Sequence, residues 1–197
     1  MRTDTPHGRR RCLRWLIGGA LVAPWLARAA AGGLQVLRPS VAPLPPVALQ
    51  TMAGESRTLD RELAADVPLV LNFVFTTCST TCSMQTAVLA QLQRDRLRQG
   101  RALRLASITI DPDNDTPEQL RRFAAGFRTG PGWQFYTGRF DDLLRVQRHF
   151  DVYRGSKASH PPVILLRRDA RAPWVRVEGF PQAAELAALI ESLPGAA

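Results

Sequence analysis

The stretch Val67-Pro68-Leu69-Val70-Leu71-Asn72-Phe73-Val74-Phe75 runs directly into Thr76-Thr77-Cys78-Ser79-Thr80-Thr81-Cys82. Nine residues that are almost all apolar, rich in β-branched and aromatic types, read as a strand buried on both faces. From Ser79 to Gln99 the pattern changes to a helical period, with Met84, Val88 and Leu92 at four-residue spacing. Gly100 stands where a C-terminal cap belongs. A buried strand passing into a helix predicts an α/β fold, with the cysteine pair at the strand's C-terminal end. Open α/β sheets collect their ligands there.

Working outward, the same alternation repeats. Leu103 to Ile110 is a strand candidate. Thr116-Pro117-Glu118-Gln119 starts a helix, with Thr as N-cap and Pro at the first helical position. Leu120, Phe123, Ala124 and Phe127 give that helix one apolar face. Trp133–Thr137 reads as a strand and Phe140–Phe150 as a helix with Leu143, Leu144 and Val146 or Gln147 turned inward. Val163–Leu166 and Trp174–Val177 form strands around the turn Arg168-Asp169-Ala170-Arg171, and Gln182–Leu193 is a closing amphipathic helix. Upstream, Val47–Gln50 and Ser56–Leu59 flank Ala53-Gly54 as a small hairpin. Parallel crossovers followed by an antiparallel pair predict a mixed central sheet with helices on both faces.

A chain of 197 residues predicts one globular domain. Its net charge of +9 is concentrated at the start. Six arginines against Asp4 in residues 1–29 account for five of those charges, leaving +4 over a body of mixed sign. The body has no basic stripe and no interleaving of basic and aromatic residues, which argues against a nucleic-acid binder. Residues 1–29 instead read as an export signal. A basic stretch ends near Arg14, the apolar run Trp15–Ala27 is too short for a membrane span, and Ala27-Arg28-Ala29 has the small-x-small form of a cleavage site. Arg9-Arg10-Arg11-Cys12-Leu13-Arg14 is similar to a twin-arginine signal. Residues 30–46, with four prolines from Pro39 to Pro46, read as an extended linker, and 47–197 as the domain. Export predicts a periplasmic protein, anchored to the inner membrane only if the N-terminal segment is retained. Cleavage removes Cys12 and leaves Cys78 and Cys82.

Cysteines at i and i+4 lie on one face of a helix, about 6 Å apart along its axis. A cysteine at a helix start has its thiolate favoured by the N-terminal dipole. Two such thiolates suit Cu(I) and leave a third ligand to come from elsewhere. A structural disulfide, or two inert buried thiols, is the alternative that the spacing leaves open, with the functional reading favoured over it. Of the two histidines in the body, His149 reads as a partly exposed helix residue. His160, in Ala158-Ser159-His160-Pro161-Pro162, sits in a loop just ahead of an apolar strand.

Taken together, Phe73–Cys82, then Asp111-Pro112-Asp113-Asn114-Asp115-Thr116-Pro117, then Thr137-Gly138, then His160 before an apolar strand, resemble the Sco/SenC family. The resemblance covers about Val47 to Leu193. It implies a thioredoxin-like fold and copper held by a Cys-x3-Cys pair and a distant histidine, here Cys78, Cys82 and His160. It implies a metallochaperone that carries copper to the dinuclear site of cytochrome c oxidase subunit II or another cuproprotein. The alternative is a thiol–disulfide oxidoreductase acting on a partner's cysteines through Cys78 and Cys82. A structural zinc site fits less well, since three good ligands are present where four are wanted. In the family's acidic loop, Asp115 is explained as a turn and cap residue, while Asp111 is open. The chain departs from the family pattern at Ser79 and Ser83, where prolines are usual, at Pro161-Pro162 after the histidine, and at Asp169-Ala170-Arg171-Ala172. Either Pro161 or Pro162 is a candidate for the cis-proline that thioredoxin-like oxidoreductases place opposite their cysteines.

Overall fold

The computed structural model describes residues 43–193, the backbone of Gln35–Leu37, and Met1. Apart from Met1, the expected export signal, 1–29, lies outside the described residues. The sheet has eight strands: β1 (Gln35–Leu37), β2 (Ala48–Thr51), β3 (Ser56–Thr58), β4 (Leu69–Val74), β5 (Arg104–Thr109), β6 (Trp133–Thr137), β7 (Val163–Arg167) and β8 (Val175–Glu178). Their spatial order is β1-β8-β7-β4-β5-β6-β2-β3. β4 pairs parallel with β5, and β5 with β6; every other pair is antiparallel. Among the described residues five α-helices accompany them: α1 (Leu59–Leu63), α2 (Thr81–Arg98), α3 (Pro117–Gly126), α4 (Phe140–His149) and α5 (Ala183–Glu191).

β4 is the axis of the molecule. All six of its residues are buried, as its apolar run predicts. Alternate side chains serve two cores. Val70 and Val74 pack with Leu89 and Leu92 of α2, Leu120 of α3 and Leu186 of α5. Leu71 and Phe73 pack with Leu59 and Leu63 of α1 and with Leu143 and Val146 of α4. Helices therefore cover both faces, which is why no polar alternation is visible in the strand.

One residue of β4 breaks the apolar run for a reason. Asn72 is fully buried and donates from Nδ2 to Gln85 Oε1 of α2 (3.1 Å), while its Oδ1 accepts from Ser107 Oγ of β5 (2.7 Å). Ser107 Oγ accepts in turn from Trp133 Nε1 of β6 (2.9 Å). This chain joins three neighbouring strands to the helix that follows the cysteines.

Four local expectations change. Within the stretch read as linker, Gln35–Leu37 pair along β8, whose backbone groups otherwise form an open edge. Leu59–Leu63, read partly as strand, turns into α1. Met84 does not face the core with Leu92 but is 52% exposed. The buried stripe of α2 runs through Cys82, Gln85, Leu89, Leu92 and Arg96, and Met84 lies off it. The described residues contain no cis peptide bond, so both prolines after His160 are trans. That is the default isomer even for X-Pro.

The helix caps follow the sequence. Thr116 Oγ1 accepts from the Gln119 N–H (3.3 Å), Gly100 takes φ +65° after α2, and Gln182 and Glu185 close a capping box on α5. Ser107→Ala would leave Asn72 Oδ1 and Trp133 Nε1 buried without partners. It should lower unfolding free energy by about 1–3 kcal/mol, read as a lower urea midpoint at unchanged m.

Candidate functional site

Beyond Val74 the chain leaves the sheet as Phe75-Thr76-Thr77-Cys78, and its path is set by Asp115. Asp115 is fully buried. Its carboxylate accepts from the Thr76 N–H (3.1 Å to each oxygen), from Thr76 Oγ1 (2.6 Å) and from Thr109 Oγ1 at the end of β5. Asp115 is therefore more than the turn and cap residue expected from sequence: it ties the cysteine loop to β5. Burial raises its pKa, and the hydrogen bonds from Thr109 and Thr76 oppose that rise.

From this anchor the loop turns tightly. The Cys78 N–H donates to the Phe75 carbonyl (3.1 Å). Thr80 takes φ −110° and ψ −94°, outside the helical region, so α2 begins at Thr81 and not at Ser79. Cys78 thus precedes the helix while Cys82 lies in its first turn, and the two do not share one helical face as the spacing alone suggested. They still meet: the Cys82 N–H points to Cys78 Sγ at 3.5 Å, and Thr80 Oγ1 lies 3.9 Å from the same sulfur. Both are free thiols. Ser83, where the family usually has proline, donates from Oγ to the Cys78 carbonyl (3.0 Å).

The two sulfurs differ sharply. Cys78 is half-buried. Burial pushes its pKa up, but the backbone groups of Cys82 and Thr80 favour the thiolate and leave the value below the ordinary thiol range. Cys82 is 2% exposed, and its thiol is pushed up to about 12, chiefly by burial, with the neighbouring Cys78 adding to the shift. The pair is one accessible nucleophile beside one protonated thiol.

His160 follows a 3-10 turn, Lys157–Ser159, capped by Ser156. Asn72 on β4 stands opposite Ile164 on β7, so the chain leading into β7 runs beside the end of β4. The sequence expectation that this loop approaches the cysteine end of the sheet holds at the level of backbone. The imidazole, however, packs edge-on to Phe73, with ring centroids 6.3 Å apart, on the face covered by α4. Its Nδ1 is buried with no hydrogen-bond partner. Burial lowers the pKa, partly countered by the backbone of Phe73 and Val152, so the ring is neutral at pH 7. Among the described residues no three His, Cys, Asp or Glu side chains form a metal-holding group. The structure brings Cys78 and Cys82 together and packs the His160 ring against Phe73.

The donor chemistry nevertheless fits a soft metal ion: two sulfurs and one neutral imidazole whose Nδ1 has no partner of its own. His149 ends α4 against Phe150, 4.7 Å between centroids, and takes no part. Asp111 is buried and pairs with Lys157, whose Nζ lies 2.5 Å from Oδ2. Lys157 had no signal in the sequence beyond being the single lysine among 26 basic residues. A cleft of about 270 Å³ opens beside His160, lined among others by Asp111, Phe140, Tyr153 and Lys157.

The SCO1/SenC family matches residues 48–166. The Bacillus subtilis (strain 168) SCO1 protein homolog is 34% identical over 110 residues; the match takes in 55% of this chain and 56% of that protein, so the chain spans about half the length of this curated relative. A SCO1/SenC family lipoprotein from Bacillus anthracis str. Ames superposes with a TM-score of 0.65 at 21% identity, covering 76% of this chain and 94% of that one. Copper-bound ScoI of Arabidopsis thaliana gives 0.65 at 21% identity over 76% and 97%. Yeast Sco1 with copper bound gives 0.63 at 21% over 75% and 86%. The thioredoxin-like fold expected from sequence is the fold found.

With limiting iodoacetamide, the reduced protein should be alkylated at Cys78 first, as read by peptide mass spectrometry. The rate should rise with pH and level off below the usual thiol value, because deprotonation exposes the nucleophile. Cys82 should stay unmodified through pH 9. Equal labelling of the two would contradict the asymmetry.

Proposed function

The chain belongs to the SCO1/SenC family, and from that premise we propose that it is an exported copper carrier. Copper is its cargo, bound through Cys78, Cys82 and His160 and passed to the copper site of cytochrome c oxidase subunit II or another cuproprotein. Residues 1–29 serve as the export signal and 47–197 as the working domain, with Gln35–Leu37 added to its sheet edge as β1. Among the described residues no helix is long and apolar enough to cross a membrane. Membrane attachment would therefore fall to the N-terminal segment.

The observation that carries this reading is the unequal cysteine pair beside a segment bearing a neutral imidazole. Cys78 offers an accessible thiolate, the form that binds metal. Cys82 binds by giving up its proton, which its burial otherwise retains. A metal that replaces that proton supplies the compensation the buried anion lacks. His160 supplies the third donor by turning from Phe73 toward the sulfurs, and its lowered pKa keeps it unprotonated. Release to a partner proceeds by exchange onto the partner's own thiolates, starting at the exposed sulfur of Cys78. Solved relatives that hold copper support this assignment.

The same pair supports a second reading, as a reductant of a partner's cysteines. The Cys78 thiolate attacks one sulfur of a partner disulfide and displaces the other as a thiolate. Cys82 then gives up its proton and its sulfur attacks the Cys78 sulfur of the mixed disulfide, displacing the partner's second sulfur as a thiolate. The Cys78–Cys82 disulfide forms, and the partner leaves with two electrons gained and two thiols, one proton coming from Cys82 and one from solvent. That disulfide cannot hold copper, so the two activities alternate in one molecule.

The reduced protein should take up one Cu(I) against a competing chelator. Affinity should fall with acid pH as protons compete for the sulfurs. His160→Ala should weaken binding by about tenfold or more, about 1.4 kcal/mol. Cys78→Ser should abolish tight binding. Unchanged affinity in His160→Ala would remove the imidazole from the site. Reduction of an oxidised partner by the metal-free protein, with no tight Cu(I) binding, would favour the second reading.

A further inference from the structure

Helix α2 begins without the cap that its sequence offers. Thr80 stands at the N-cap, where a Thr hydroxyl ordinarily accepts from an N–H of the first turn. Its side chain makes no such bond. The hydroxyl lies instead 3.9 Å from Cys78 Sγ. Ser83 occupies the third helical position, from which the side chain of a capping box reaches back to the N-cap amide. Here it reaches past the cap, and Ser83 Oγ donates to the Cys78 carbonyl (3.0 Å). The amide at the second helical position, Cys82, points to Cys78 Sγ (3.5 Å). The first four amides of a helix have no carbonyl of their own helix to bond. For the Cys82 N–H, the sulfur of Cys78 fills that place.

Two hydroxyls and one amide from the start of α2 are thus turned on a single residue that lies outside the helix. The backbone of Cys78 is held on both sides. Its N–H donates to the Phe75 carbonyl (3.1 Å), and its carbonyl accepts from Ser83. With both peptide groups fixed, the sulfur keeps one torsion, χ1, and the observed rotamer sets it against the Cys82 amide. Side chains that local rules would assign to capping serve Cys78 instead. A local rule left unmet in this way marks a position with another use.

We propose that Cys78 Sγ is the capping acceptor of α2, and that Ser83 is the positioning residue that keeps it there. Held in this way, the exposed sulfur stays beside the residue that carries its buried partner, and the pair meets an incoming ion already assembled. Without the Ser83 hydroxyl the Cys78 peptide unit is free to turn, and the sulfur leaves the Cys82 amide. The fraction of molecules with both sulfurs in place then falls, and apparent affinity falls with it. Ser83 itself touches neither ion nor partner. Its contribution to copper uptake rests on the copper reading above; its hold on the sulfur does not.

The test compares wild type, Ser83→Ala, Ser83→Thr, Cys78→Ala and the Ser83→Ala/Cys78→Ala double variant as reduced, full-length proteins. Ser83 is half-buried and belongs to neither core, so its substitution leaves both intact. In the metal-free protein, amide hydrogen exchange at Cys82 should quicken about three- to tenfold in Ser83→Ala, the scale of one hydrogen bond. It should stay at the wild-type rate in Ser83→Thr, which keeps the hydroxyl. In Cys78→Ala the Cys82 amide has lost its acceptor, and adding Ser83→Ala should change its exchange no further. Exchange at Leu71 in β4 should match wild type in both Ser83 variants. In competition with a chelator for Cu(I), Ser83→Ala should bind about three- to tenfold more weakly than wild type, and Ser83→Thr should equal it. Unchanged Cys82 exchange in Ser83→Ala, the same acceleration in the Cys78→Ala background, or no rescue by Ser83→Thr overturns the cap. Acceleration at Leu71 along with Cys82 assigns Ser83 to the fold and overturns its role at the sulfur. Faster Cys82 exchange with unchanged Cu(I) affinity overturns the positioning role. If wild type takes up no Cu(I), the copper reading fails, and the exchange measurements still decide the cap.

Discussion

A buried carboxylate with its donors converging on it is the constraint from which the site follows. Asp115 receives the Thr76 amide, the Thr76 hydroxyl and the Thr109 hydroxyl, with no solvent to share the work. An ionised carboxylate is an acceptor-only group, and three donors from two different strand ends suit no other side chain of that size. Charge-assisted bonds of this kind offset the desolvation that raises its pKa. The geometric result is that the end of β4 and the end of β5 are fixed to each other. The segment between Thr76 and α2 must then turn within a few residues, and Cys78 is left outside the helix.

The inequality of the cysteines is a consequence of that turn. A helix starting at Ser79 would set both sulfurs on one face in similar surroundings. Starting instead at Thr81, it buries Cys82 against the core and leaves Cys78 on the rim. The serines that replace the family's usual prolines take part. Ser83 Oγ holds the Cys78 carbonyl, a bond that a proline lacks the atoms to make. In the proposed copper carrier this inequality would order the steps, with capture at the exposed thiolate before completion at the buried thiol.

The elements whose identity depends on neighbours in sequence are the ones that reading the sequence finds. The run Val67–Phe75, the Thr116-Pro117 cap, Gly100 and the inward faces of α3 and α4 all obey local rules, and the structure has them nearly where expected. What depends on residues far apart in the chain was not legible. Asp115 looks like a turn residue until Thr76, 39 positions earlier, is seen to donate to it. Lys157 looks like solvent-facing charge until Asp111, 46 positions away, is seen to hold it. Asn72 looks like a blemish in an apolar strand until Ser107 and Gln85 are seen to satisfy it. The cysteine spacing suggests one helical face because spacing carries no information about where a helix begins. The strand after His160 tells where its backbone runs, beside the end of β4, but the direction of its ring is a packing outcome set by Phe73.

That packing leaves the imidazole in a state it gains by leaving. A buried ring nitrogen with no partner forfeits a hydrogen bond that water would give it, on the order of 1–3 kcal/mol. The parked position persists because the ring edge meets Phe73, which lies against Phe150, itself 5.4 Å from Trp174 in an edge-on arrangement, and because the Lys157 turn is pinned nearby. A ligand to Nδ1 would therefore add an interaction that the nitrogen lacks here. The polar bonds to Asp115 fix the cysteine loop, and the aromatic row fixes the imidazole, by separate means. Separate supports let the imidazole move while the two sulfurs stay, and the proposed gripping and surrender of copper would use that independence, because exchange onto a partner begins with the loss of one ligand and not with the collapse of the whole set.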